Sequence, residues 1–84
     1  MPGDYDFSLD REAVTAFAQC SAREQRFLLD ACERLARHPF STGDCPMPGE
    51  GGRENELLDL GEFVVTFWTD HAVRVVRVAN IERT

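Results

Sequence analysis

Lysine is missing from this sequence. Its nine basic residues are all arginine, and they face fifteen acids, for a net charge of −6. Binding nucleic acid by neutralising phosphates needs a basic surface, because counterion release supplies most of the affinity. A chain of this charge meets a duplex or a ribosome against its own field, so direct nucleic-acid binding is not expected. Long apolar runs are missing too, and nothing approaches the roughly 20 residues a membrane helix needs. The start, Met1-Pro2-Gly3-Asp4, is acidic with no apolar stretch behind it, so neither a secretory signal nor a membrane span is expected. Cysteine is scarce and odd in number. Cys20, Cys32 and Cys45 form no CxxC, and His38 and His71 do not stand at zinc-ligand intervals from any of them. No metal and no cofactor is expected. Cys20 and Cys32 fall on apolar helical positions, where a thiol packs as a small hydrophobe, and the expected setting is reduced and cytoplasmic.

What is present is the composition of a globular protein, 43% hydrophobic and 29% charged over 84 residues. That length suits one small domain spanning 1–84. Tyr5-Asp6-Phe7-Ser8-Leu9 alternates with period two and predicts a first strand. Asp10 can cap a helix from about Arg11 to Gln19, with Ala13, Val14, Phe17 and Ala18 on one face. Ser21-Ala22-Arg23-Glu24 has the spacing of a capping box. The helix it opens should run to about Arg37, with Phe27, Leu28, Ala31, Cys32, Leu35 and Ala36 as its apolar stripe and Pro39 as its stop. With almost no linker between them, the two helices should form an antiparallel hairpin.

From Pro39 to Arg53 the prolines and glycines, with no periodicity, predict a loop. The last third predicts three strands, Glu54 to Leu60, Phe63 to Thr69 and Ala72 to Ala79, turned at Gly61-Glu62 and Asp70-His71. The fold class is therefore α+β: a helical hairpin packed on a small, largely antiparallel sheet in the order β-α-α-β-β-β. With those turns, Leu58, Leu60, Phe63, Val65, Phe67, Val76 and Val78 share the face under the helices, with Arg74 near the hairpin tip. Leu57, Asp59, Val64, Thr66, Trp68, Val73, Val75 and Arg77 share the other. A two-layer domain has nothing left to cover that second face, yet it is largely apolar. Contiguous exposed apolar surface marks a place where something binds, and Trp beside Arg is the composition of an interface hot spot. Leu57, Val64, Trp68, Val73, Val75 and Arg77 are the candidate partner-binding residues. The alternatives are that the C-terminal tail or the Pro/Gly loop folds over them, or that the register is off by one.

Other chemistry is thinly represented. Asp70-His71 sits in a turn, where neighbours point apart, and no nucleophile is placed beside it. Glu50, Glu54, Glu56, Asp59 and Glu62 form a solvated acidic edge that discourages strand aggregation. Gly49, Gly51 and Gly52 lack the Lys-Ser/Thr or helix start of a phosphate cradle.

Three stretches, the hairpin end Leu35-Ala36-Arg37-His38-Pro39, the phrase Leu57-Leu58-Asp59-Leu60-Gly61-Glu62-Phe63-Val64-Val65-Thr66-Phe67, and Val75-Val76-Arg77-Val78-Ala79-Asn80, stand out. Together they resemble the RelE/ParE family of toxins from bacterial type II toxin–antitoxin systems. The resemblance covers nearly the whole chain as a pattern of positions. It implies a cytoplasmic toxin held inactive by a small antitoxin, usually encoded beside it. RelE-like members of the family cut mRNA on the ribosome, and ParE-like members poison DNA gyrase. The RelE-type site holds phosphate with arginines on the open sheet face and assists attack by the ribose 2′-hydroxyl.

Here Leu57, Asp59 and Val64 stand where those arginines would fall. Asn80 stands where a His is common, Ile81 and Glu82 stand near the usual C-terminal Arg pair, and Thr84 ends the chain without a Tyr. Arg83 matches the second Arg of that pair and Arg77 a position often basic in the family, so these two are the candidate catalytic residues. Phosphoryl chemistry needs fixed positive charge where negative charge develops, which Leu, Asp and Val do not supply. The resemblance then implies a diverged member that acts by binding protein, namely its antitoxin and, on the ParE-like side, gyrase. The alternatives are a RelE-like ribosome-dependent mRNA endoribonuclease using Arg77 and Arg83, or a non-toxic family member that forms a homodimer or larger homo-oligomer through the apolar face.

Overall fold

A computed structural model describes residues 5–39, 45–48 and 54–84. Asp6–Leu9 form β1 and Arg11–Ala18 form α1. Asp10 holds the N-cap position of α1, but its side chain makes no capping bond. Its backbone does the work instead, with the Asp10 N–H donating to Val78 O (2.8 Å) and the Val14 N–H donating to Asp10 O (2.9 Å). After Gln19-Cys20-Ser21, α2 runs from Ala22 to Arg37. The Ser21 hydroxyl accepts the Glu24 N–H (3.2 Å) and the Glu24 carboxylate accepts the Ser21 N–H (2.9 Å). This is the expected capping box, a cap worth about 1 kcal/mol. The Gln25 amide donates to Phe17 O (3.0 Å) and ties the start of α2 back to α1.

Four further strands complete the described chain: β2 (Cys45–Pro48), β3 (Glu54–Asp59), β4 (Phe63–Asp70) and β5 (Val75–Arg83). Their order across the sheet is β1-β5-β4-β3-β2. The β1–β5 pair is parallel and the other three are antiparallel, so the sheet is largely antiparallel, as expected. The stretch 39–53, expected to be a loop, contains β2, which pairs along β3 with Cys45 opposite Leu57. Proline is admissible there because an edge strand needs N–H donors on one side only; the rest of that stretch lies outside the described residues. The β4–β5 connection also differs. Asp70 pairs with Val75, so the turn is 71–74 rather than two residues, and Arg74 (φ 58°) takes the left-handed conformation within it.

Both helices pack on one face of the sheet. Leu28, Ala31, Cys32 and Ala36 of α2 and Ala13 of α1 are buried with Phe63, Val65, Phe67, Val76, Val78 and Ile81. Phe7, Leu9, Phe17, Leu35, Leu58 and Leu60 pack around that cluster. Val14 and Ala18, expected inside, lie exposed, because the short α1 buries a narrower stripe through Ala13, Ala16 and Phe17. Register slips once. Thr66 pairs with Asn80 and Phe67 with Val78, leaving Ala79 as the extra residue of a β-bulge. Asn80 stabilises the kink by accepting the Ile81 N–H on its own side chain (2.9 Å). The bulge turns Ile81 into the core and carries Arg83 to the helix side.

Candidate functional site

The face of the sheet away from the helices holds the residues that sequence alone nominated. Along β4 burial alternates, with Phe63, Val65 and Phe67 buried and Val64, Thr66 and Trp68 half-buried on the opposite side. Register arranges this open face in rows. Asp59, Val64 and Glu82 form one, and Leu57, Thr66 and Asn80 the next. Trp68, Arg77 and Ser8 form a third, and Asp70, Val75 and Asp6 the last. Of the six candidate binding residues, five share this surface: Leu57, Val64, Trp68, Val75 and Arg77. Val73 does not, because it lies in the 71–74 turn, 56% exposed. The C-terminal tail does not cover the face. The Thr84 N–H and hydroxyl donate to Glu62 O (2.9 Å) and Gly61 O (2.7 Å), which pins the chain end to the β3–β4 turn.

Arg77 is the one arginine among the described residues of the open face. Its guanidinium carbon lies 5.9 Å from the Trp68 ring, a cation–π distance, and its Nε lies 4.0 Å from the Asp70 carboxylate. Ser8 Oγ, next to Arg77 in register, and Asn55 Oδ1, one register step beyond Glu56 on β3, are enclosed with no hydrogen-bond partner among the described residues. An unpaired buried polar atom costs about 1–3 kcal/mol, so this row is the least satisfied part of the sheet. Asp70 and His71 face different partners. Asp70 Oδ1 accepts the Ala72 N–H (3.1 Å), while His71 Nδ1 lies 2.9 Å from the Tyr5 hydroxyl.

Arg83, the other candidate catalytic residue, is on the far side of the sheet. Its guanidinium donates to both Glu24 carboxylate oxygens (2.6 and 3.2 Å) and lies 5.0 Å from the Phe63 ring. The structure therefore separates Arg77 from Arg83 by the thickness of the sheet. The signal that would have found this is the bulge. Strict alternation puts Asn80 and Glu82 under the helices and Ile81 outside, and no single sequence marks Ala79 as an extra residue. The Glu24–Arg83 pair was missed for the same reason.

Glu24 joins the start of α2 to the end of β5. The hydrogen bond from Arg83, reinforced by the Ser21 N–H, lowers its pKa from 4.5 to about 2. A carboxylate depressed in the folded state contributes stability that is present above its unfolded value and lost as pH falls toward the folded one. The thermal midpoint should therefore fall between about pH 4.5 and 2. Arg83→Met should flatten the fall in that window while lowering the midpoint at neutral pH; equal slopes by circular dichroism would remove the pair from the account. Beside this pair, Ser21, Arg23, Glu24, Phe27, Glu62 and Phe63 line a groove of about 460 Å³. Cys32 is a structural thiol, pushed up to about 11 by burial. Among the described residues no helix is long and apolar enough to cross a membrane, and no three His, Cys, Asp or Glu side chains are grouped to hold a metal ion.

The helix pair on one face of a mixed sheet, with β1 parallel to the last strand, is a fold this chain shares with solved structures of RelE and of RelE–RelB complexes. A chain of the Mycobacterium tuberculosis toxin–antitoxin complex RelBE2 matches with a TM-score of 0.78 at 16% identity, covering 96% of this chain and 99% of that one. A chain of the archaeal RelE–RelB complex from Pyrococcus horikoshii OT3 matches at 0.74 and 16%, covering 95% and 94%. The isolated E. coli RelE toxin matches at 0.70 and 12%, covering 95% and 84%. No protein-family model and no curated protein matches the sequence.

Proposed function

We propose that this chain is the toxin-fold member of a toxin–antitoxin pair and acts by binding protein, its antitoxin first, rather than by cutting RNA. The RelE-type fold supports the first half, since two of the similar structures are toxin–antitoxin complexes. The observation that carries the second half is the state of the arginines. Arg77 is held between an indole and a carboxylate, and Arg83 is engaged by Glu24 across the sheet. Cleavage by an internal 2′-hydroxyl needs several cationic groups converging where phosphoryl charge develops, and among the described residues the open face offers one guanidinium beside four carboxylates: Asp6, Asp59, Asp70 and Glu82. Its apolar centre suits a polypeptide.

The likeness to an isolated RelE toxin favours message cleavage as the second reading. Induced expression in a bacterial host, with 5′ ends of messages mapped on and off induction, separates the two. The expected result is an unchanged set of 5′ ends and a stable complex with the product of the adjacent reading frame. New ribosome-dependent ends that vanish with Arg77→Ala would establish the ribonuclease instead. Supercoiling by purified gyrase, with and without the chain, tests the ParE-like target.

A further inference from the structure

The two edges of the sheet are not alike. At the β3–β4 turn the Leu60 N–H donates to Phe63 O. Successive residues of a strand turn their N–H and C=O to opposite sides, so Leu60, Leu58 and Glu56 bond to β4 while Leu57 and Asn55 bond to β2. Cys45 and Met47, which stand opposite Leu57 and Asn55, therefore face β3, and Pro46 and Pro48 face outward. Proline has no N–H, so the β2 edge presents carbonyls alone and gives a further strand no donors. At the other edge the Asp6 N–H donates to Arg74 O (3.1 Å) and the Asp10 N–H to Val78 O (2.8 Å). Asp6, Ser8 and Asp10 thus turn toward β5. Phe7 and Leu9 turn their N–H and C=O outward, where they meet no backbone partner among the described residues. No proline or glycine interrupts β1, and an edge in that state is a template for strand addition.

We propose that β1 pairs with β1 of a second copy, antiparallel about a two-fold axis at Phe7, and joins the two five-stranded sheets edge to edge. Self-complementarity is what selects a second copy. Like strands that meet across a two-fold axis run antiparallel, and outward-facing residues must stand opposite outward-facing ones. The axis can then pass through any one of the four residues of β1. At Asp6 it sets that acid against itself, and at Ser8 it sets Asp6 against Asp10; like charges directly opposite are unfavourable. At Leu9 it asks Phe7 to pair with Arg11, which belongs to α1. At Phe7 it brings Tyr5 opposite Leu9 and Asp6 opposite Ser8, each of them twice. Apolar then meets apolar and acid meets hydroxyl. Ser8 Oγ is enclosed with no partner among the described residues. In this register the Asp6 carboxylate of the second copy lies on the same face at a Cβ separation of about 5 Å, within reach of that hydroxyl.

The chain alone suffices for the test, so the result does not depend on the antitoxin. Sedimentation equilibrium across a concentration series should show a reversible monomer–dimer equilibrium. Over the same series, amide exchange read by NMR should slow at Phe7 and Leu9, whose N–H groups become bonded only in the dimer. Register is read by cross-linking. Chains carrying Asp6→Cys and Ser8→Cys, each checked by circular dichroism, are oxidised mildly alone and mixed, with the unmodified chain as the control for the native cysteines. Directly opposite residues lie within disulfide reach. The mixture should give a dimer of unlike chains, identified by intact mass, and neither variant alone should exceed the control. A monomer at every concentration, a dimer with unchanged exchange at Phe7 and Leu9, or Ser8→Cys cross-linking with itself as readily as with Asp6→Cys overturns the proposal.

Discussion

Phe67→Ala should cost about 3–5 kcal/mol of folding stability, the range for a fully buried aromatic. Phe67 is 1% exposed, pairs with Val78 at the β-bulge, and belongs to the cluster that joins Leu28 of α2 to the sheet. An 84-residue chain has one core and little reserve, because domains of this size bury a smaller fraction of their surface. Set against a typical total of about 5–15 kcal/mol, the loss leaves a protein that is marginal at 37 °C. Urea unfolding followed by tryptophan fluorescence measures it directly, since Trp68 is the only tryptophan. A loss below about 1.5 kcal/mol would mean that the site collapses around the missing ring far better than cavities usually do.

Val64→Arg should behave in the opposite way, sparing the fold and abolishing the complex. Val64 is half-buried on the open face, outside the core cluster, so its replacement should change stability by no more than about 1 kcal/mol. On the proposed binding face the same change replaces a compact apolar side chain by a long guanidinium held between Asp59 and Glu82, which removes apolar contact area and obstructs a docked partner, and a drop in affinity of at least about a hundredfold is expected. Titration calorimetry against the copurified antitoxin reads it, with Val64→Ala as the size control. If Val64→Arg binds within a few-fold of the unmodified chain, the partner sits elsewhere, and the Phe27–Phe63 groove beside Glu24 is the next surface to probe.

Much of the fold was legible because it is written in short-range patterns. The capping box at Ser21 and Glu24, the stripe from Phe27 to Ala36 and the stop at Pro39 are all local, and α2 follows them except that Phe27, expected inside, lies exposed beside Phe63 at the rim of the core. The alternation from Leu58 to Phe67 sorted the sheet into its buried and open faces. What was not legible depends on pairing between distant segments. β2 has no alternation of its own and owes its existence to the edge of β3. The 71–74 turn removed Val73 from the binding face, because a four-residue connection starts β5 at Val75.

The sequence by itself determined a lysine-free, acidic α+β chain with two helices, the second capped at Ser21 and stopped at Pro39, and a sheet whose far side is apolar at Leu57, Val64, Trp68 and Val75. Periodicity and charge are properties of neighbours along the chain, and they survive without coordinates. Only the tertiary structure decided that Arg77 stands among carboxylates while Arg83 answers to Glu24 on the opposite side of the sheet. One unpaired residue, Ala79, reverses which face every later side chain of β5 occupies, and an unpaired residue exists only relative to the strand beside it.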